Sequence, residues 1–193
     1  MKEKYDSIDV LINNAGAGMS DERYSKEGYE LRFAVNYLAP FLLTNLLLPE
    51  IKNASPSRIV NVSSAGQHKI DFDDLMLENN FDGTRAYRQS KLALIMFTIE
   101  LADKLRNDNV TVNSLHPGTY LDTKMVRNHG IKPWGDAQTG ADAEVYLATS
   151  RELEGVTGKY FDVKNESTAN KQAYDKQARK RIWNIAEELT GLK

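Results

Sequence analysis

Residues 8–16, Ile-Asp-Val-Leu-Ile-Asn-Asn-Ala-Gly, decide the fold. Ile8, Val10, Leu11 and Ile12 form an apolar run, mostly β-branched and too short for a helix, so it reads as a buried strand. Asn13-Asn14-Ala15-Gly16 then ends it as a turn. The same grammar returns twice. Ser57–Ser63 (SRIVNVS) runs into Ser64-Ala65-Gly66, and Val110–Leu115 (VTVNSL) is stopped just before Pro117-Gly118. Helical patterns fill the gaps, from about Lys26 to Lys52 and from about Thr84 to Arg106. A helix at Gly140–Thr149, a strand at Gly158–Val163 (GKYFDV) and an amphipathic helix at Ala169–Leu189, with Gly191 beyond its end, complete the series. Strands separated by helices of this length make βαβ units, and therefore a parallel sheet with right-handed crossovers in an α/β domain. Ligands bind such sheets outside the carboxyl ends of the strands. NNAG, SSAG and HPGTY are all expected at that edge.

Composition narrows the function classes. The 193 residues suit one domain, 1–193, and 41% hydrophobic content supports a packed core. The balance of 25 basic and 27 acidic residues gives no footprint for nucleic acid. Without cysteine there can be no disulfide, thiolate metal site or Cys nucleophile, which fits a cytoplasmic protein. The start, MKEKYDSID, does not read as a signal peptide. The greasiest stretch, Leu38–Leu48, is interrupted by Pro40, Thr44 and Asn45 and is shorter than the ~20 residues of a spanning helix. It is expected to be a buried helix, with no membrane span. His68, His116 and His129 lack metal-ligand spacing, so no metal site is expected.

Three Tyr-x-x-x-Lys pairs occur: Tyr87/Lys91, Tyr120/Lys124 and Tyr160/Lys164. With nine tyrosines in the chain the motif alone is weak, and a packed Tyr beside a solvated Lys gives the same spacing. Context separates the three. Tyr160 and Lys164 fall on or just past a strand, where four residues span ~13 Å. Tyr120 and Lys124 lie in the loop after Pro117-Gly118. Tyr87 and Lys91 begin a long helical pattern, where an i,i+4 pair shares one face. A free tyrosine, with a pKa of about 10, is a poor base near neutrality. A cation ~5 Å away, at an effective dielectric of about 20, contributes roughly 3 kcal/mol toward the phenolate. Tyr87 could then exchange a proton with an alcohol or carbonyl oxygen. Ser63-Ser64 could place a hydroxyl on the same oxygen, or could be turn chemistry. Asn36, inside an apolar helical run, needs a buried polar partner, either backbone or a proton-relaying water.

Taken together, NNAG at 13–16, VNYLAPFLLT with Asn36, IVNVSS with Ser64, YRQSK with Tyr87 and Lys91, and LHPGTYLDT with Pro117, Gly118 and Thr123 resemble the short-chain dehydrogenase/reductase family in its NNAG-bearing branch. FDDL, AYRQSKLALIMFTIELA and RIWNIAEELTGL are similar to its retinol-dehydrogenase-like members. The resemblance implies a Rossmann-like fold and an NAD- or NADP-dependent oxidoreductase that interconverts an alcohol and a carbonyl on a small molecule. It implies Tyr87 as general acid/base, Lys91 on the nicotinamide ribose, Ser64 on the substrate oxygen and Asn36 on a relay water. Asn13, Ala15 and Gly16 would line the nucleotide cleft, and Pro117, Gly118, Thr119 and Thr123 would border the nicotinamide. Thr123 lies one place later than the family pattern has it, and the Ser64-to-Tyr87 spacing is the longer one of the retinol-dehydrogenase-like members.

The family's Gly-rich TGxxxGxG turn is not found here; Gly16-Ala17-Gly18 lacks the third glycine. The chain therefore reads as the carboxyl-terminal part of such a fold, truncated ahead of the strand at 8–12. That strand is expected to be a bare sheet edge, with part of one sheet face uncovered. NAD(P) binding by this chain alone is expected to be weak. A non-catalytic remnant serving as an interaction or dimerisation module is the alternative, and an epimerase sharing YxxxK a third class. Leu92–Ile99 (LALIMFTI) is apolar nearly all round, and Leu38–Leu48 shows a similar excess. A helix on one sheet face needs only a stripe. The surplus leads to an expected homo-oligomer through helices 26–52 and 84–106, with burial by the C-terminal helix as the competing explanation.

Overall fold

The computed structural model describes residues 5–18, 22–79 and 81–192. Four parallel strands, β1 (Val10–Asn13), β2 (Ser57–Val62), β3 (Val110–His116) and β4 (Tyr160–Asp162), stand side by side in chain order. A short β5 (Asn165–Ser167) turns back antiparallel on β4, a hairpin not expected from the sequence. β1 ends the sheet. The Rossmann-like α/β expectation holds: the sheet is mostly parallel, with helices on both faces.

Strand alternation sorts the side chains into two clusters. Leu11, Ile59 and Val112 face the larger core. Val60, Val62 and Leu115 face a smaller one closed by α5 (Ala137–Thr149). Val10 and Ile12 are each 38% exposed, so the expected uncovered patch beside β1 is present.

The first helix starts later than the sequence suggested. Gly28 takes a left-handed φ of 87°, and residues 24–30 form a turn closed by a Tyr24–Glu30 bridge. The Glu30 carboxylate then accepts from the Phe33 amide and caps the helix. The helix runs over Leu31–Asn53 as α1 (Leu31–Phe33), a π-helical stretch at Ala34–Leu38 that contains Asn36, and α2 (Ala39–Asn53). By length and composition it could cross a membrane; here half of it is buried, with Phe41, Leu47 and Ile51 in the core.

The other boundaries shift for local reasons. α3 (Gly83–Lys104) is capped by Asp82, and α5 by Asp136, so that α5 begins at Ala137, three residues ahead of the expected Gly140. α4 (Lys124–Asn128) is a short helix in the loop after β3. The last helix, α6 (Lys176–Thr190), begins at its Asp175 cap, because Lys171–Tyr174 is a separate 3-10 turn. Gly191 ends α6 in the left-handed conformation, as a carboxyl-terminal cap requires.

The apolar surplus of α3 is buried within the chain. Leu92, Ala93, Leu94, Ile95, Met96 and Phe97 are all at most 1% exposed. Sheet packing accounts for one side and α6 for much of the other. Trp183 of α6 stacks on Phe41 and Phe97 at 4.9 and 5.7 Å. Buried Arg179 pairs with Glu100 at 3.2 Å and Asp103 at 3.1 Å. This corrects the inference that α3 needs a second subunit to cover it.

Candidate active site

The loops after β1, β2 and β3 gather at the carboxyl edge of the sheet, and the first turns of α3 bring Tyr87 and Lys91 beneath them. Lys91 is 5% exposed. Its ammonium donates to the Val62 carbonyl at 2.8 Å and lies 5.8 Å from the Tyr87 ring centre. Burial pushes its pKa down to about 8. The Ser64 side chain lies near enough to the Tyr87 hydroxyl to lower its pKa. Ser64 Oγ accepts the Gly66 N–H at 3.0 Å, which leaves its own proton free to donate. Ser63, its neighbour, is committed elsewhere, donating to the Lys91 carbonyl at 2.8 Å. Of the two serines, Ser64 is the one at the tyrosine.

The direction of the Tyr87 pKa differs from the sequence argument. Burial raises it, and the neighbouring Ser64 side chain lowers it by less. Desolvation of the phenolate outweighs its favourable contacts.

Asn36 is buried, and its amide is fully engaged. Oδ1 accepts the Ala17 N–H at 2.7 Å, while Nδ2 donates to the Ala17 carbonyl at 2.9 Å and to Ser90 Oγ at 2.9 Å. It clamps the loop after β1 to α3. Its place in a π-helical stretch is one often met at functional sites.

Asn13 is also buried and directed inward. Nδ2 donates to Thr44 Oγ1 at 3.0 Å and Asn61 Oδ1 at 2.8 Å, and Asn61 Nδ2 donates to Thr98 Oγ1 at 2.8 Å. This chain ties β1, α2, β2 and α3 together below the cleft. Ala15 is exposed, and Gly16 lies beside Asn36 and beside Lys91 of α3. A methyl on Gly16 would stand 3.2 Å from Asn36 Oδ1 and 3.5 Å from Lys91 Nζ. A side chain there would press on both groups.

After β3, Pro117 and Gly118 border the same edge. Gly118, at φ 133°, lies against Leu121, where a Cβ would approach to 2.9 Å. Thr119 Oγ1 is 3.0 Å from His116 Nε2. Thr123 caps α4 through Val126 N at 3.4 Å, so its hydroxyl already has a structural partner. The other two Tyr-x-x-x-Lys pairs are set apart. Tyr120 is 40% exposed and packs edge-on against Trp134. Tyr160 is buried in β4, while Lys164 lies over the Tyr146 ring.

The donor set suits a nicotinamide ribose. An ammonium carries three protons, and Val62 uses one, so Lys91 can offer two more to a vicinal diol. Sequence reasoning did not find Tyr160 and Gln67, which bond the Ser64 backbone, or Thr44 and Asn61, which hold Asn13. Tyr160, Thr44 and Asn61 fall within stretches already singled out in the sequence, but nothing local marks what they bond.

The chain is similar to known proteins. The family model described as short chain dehydrogenase matches residues 1–133. Human retinol dehydrogenase 14 is 42% identical over 207 residues, covering 100% of this chain and 61% of that protein. The chain thus spans about 60% of the length of such curated relatives. A putative uncharacterized protein from Mycobacterium paratuberculosis has a TM-score of 0.78 at 28% identity, over 98% of this chain and 69% of its own. The Pseudomonas aeruginosa RhlG/NADP active-site complex gives 0.61 at 26% identity, over 83% and 66%. With the family model matching well over half of it, this chain belongs to the short chain dehydrogenase family.

Proposed function

We propose that this protein is an oxidoreductase that interconverts an alcohol and a carbonyl with a nicotinamide dinucleotide. The observation that carries the reading is the Ser64–Tyr87 hydroxyl pair, with the Lys91 ammonium one helical turn along the same face. A substrate oxygen placed between the two hydroxyls could take a hydrogen bond from Ser64 and exchange its proton with Tyr87. In the oxidative direction Tyr87, ionised to the phenolate before the step, accepts the alcohol proton as the carbon–oxygen double bond forms. In the reductive direction it returns that proton to the carbonyl oxygen. The nicotinamide, when bound, takes or gives the hydride. Lys91 would hold the ribose hydroxyls, and Asn36 fixes the Asn14–Ala17 loop that walls the cleft. The NADP-complexed relative and the family support a nicotinamide cofactor.

Tyr87→Phe in the natural full-length protein tests the reading. Retinaldehyde is the first substrate to try, since the relatives are named for retinol, alongside simple aldehydes and ketones with NADH and NADPH. Loss of a general acid/base costs about 10²–10⁴-fold in kcat. Retention of more than about a tenth of wild-type turnover removes Tyr87 from the chemistry.

A further inference from the structure

Ser64 stands just past the end of β2, beyond the ladder. The last sheet bond on that side is Ser63 N–H to the Leu115 carbonyl, at 2.7 Å. What holds the next peptide is a set of side chains. Tyr160 of β4, 5% exposed, donates its hydroxyl to the Ser64 carbonyl at 3.2 Å. Gln67 Nε2 donates to the same carbonyl at 3.1 Å. Gln67 Oε1 accepts the Asn170 N–H at 2.7 Å. Three residues further along the loop, Gln172 takes both backbone groups of Ile70. Its Oε1 accepts the N–H at 2.6 Å and its Nε2 donates to the carbonyl at 3.2 Å.

The segment leading into α6 is thus stitched to the loop that leaves Ser64. It is anchored in turn on α3, because buried Arg179 donates to the Ala173 carbonyl at 3.2 Å while pairing with Glu100. A buried tyrosine hydroxyl needs a partner, and a core residue could take any carbonyl. This one takes the carbonyl of the serine whose side chain meets Tyr87.

We propose that Tyr160 and Gln67 are positioning residues for Ser64, and that through them the C-terminal segment around Asn170 sets the distance between the Ser64 and Tyr87 hydroxyls. The inference rests on the reading of Ser64 and Tyr87 given above. Neither positioning residue touches the reacting atoms. Each fixes a carbonyl whose own side chain does.

The test uses the full-length protein with Tyr160→Phe and Gln67→Ala, each in wild-type and Ser64→Ala backgrounds. Phe keeps the ring packed, and Gln67 is a half-exposed loop side chain, so the second variant carries the test if the first folds poorly. A hydrogen bond is worth about 1 kcal/mol net, or about fivefold in rate. The expected result is a kcat about fivefold lower for each single change with KM little altered. In the Ser64→Ala background neither change should add a further loss, because residues acting through one group are not additive. A second readout needs no turnover. With ¹³Cζ-labelled tyrosine, the Tyr87 resonance, assigned by its disappearance in Tyr87→Phe, should move in Tyr160→Phe at neutral pH. Losses that persist undiminished in the Ser64→Ala background, or an unmoved Tyr87 resonance, overturn the proposal. Turnover lost in Tyr87→Phe but intact in Tyr160→Phe and Gln67→Ala overturns it while leaving the function standing. Turnover surviving Tyr87→Phe overturns both.

Discussion

Replacing Lys91 by Met should change how the stability of this chain depends on pH. Lys91 is 5% exposed, and burial brings its pKa from the ordinary 10.5 down to about 8. Each pKa unit is 1.36 kcal/mol, so the folded chain gives up about 3 kcal/mol to hold this ammonium at neutral pH. The sign follows from proton counting. Between about 8 and 10.5 the unfolded chain keeps the Lys91 proton while the folded chain has released it. Where the unfolded state binds more protons, stability rises with pH. Below that window both states are charged and the folded state bears the whole cost; above it both are neutral and the cost is gone. The methionine variant has no such proton. Urea unfolding of both proteins, repeated from pH 7 to 10.5, should therefore show wild type gaining about 3 kcal/mol on the variant across the window. Desolvation raises the values of Tyr37, Tyr87 and Tyr160, so their stability contribution is lost only as pH rises beyond the ordinary tyrosine range, and both proteins share them. Parallel stability curves would refute the reasoning, because they would mean that the ammonium is solvated or not charged in the fold.

Two further changes probe the scaffold. Asn13→Ala leaves Asn61 Oδ1 buried without its donor and should cost about 1–3 kcal/mol in urea unfolding, with little change in far-UV dichroism. Arg179→Met strands buried Glu100 and should cost about 3 kcal/mol or more; adding Glu100→Met should restore part of it, measured by the same unfolding assay as a double-mutant cycle.

The parallel strands were legible because each is a β-branched run ended by a turn, and the sheet pairs them in chain order. The helix starts were less so. Lys26 to Glu30 has helical composition, but Gly28 and the Glu30 cap decide otherwise, and a cap is visible only once the helix it closes is known. The site residues that carry a motif, Ser64, Tyr87 and Lys91, come together as expected. Asn36 and Asn13 are in place as well, but their amides bond within the protein. A buried Asn announces that it needs partners, not which ones. Tyr160 meets Ser64 across 96 positions of chain, with no periodicity connecting them.

The oligomer expectation shows the same limit from the other side. The all-round apolar character of Leu92–Phe97 is real, but periodicity cannot say whether its partner lies in this chain or in another. The structure supplies α6, joined to α3 by the Arg179–Glu100 pair and by Trp183. The helix argument for self-association therefore passes to α2, where Leu43 and Leu46 are 45% and 47% exposed. These two are three residues apart on one helical face, and a pair of leucines is far less surface than the full interface that the surplus of α3 suggested. The β1 side keeps its own exposed apolar residues, Val10 and Ile12. Association driven from there would be edge pairing, which is sensitive to a charge placed on the strand. Association through α2 would not be. Ile12→Lys and Leu43→Glu, compared by light scattering coupled to size exclusion, separate the two. A monomer produced only by Leu43→Glu points to a helical interface, and one produced only by Ile12→Lys to the open edge of the sheet.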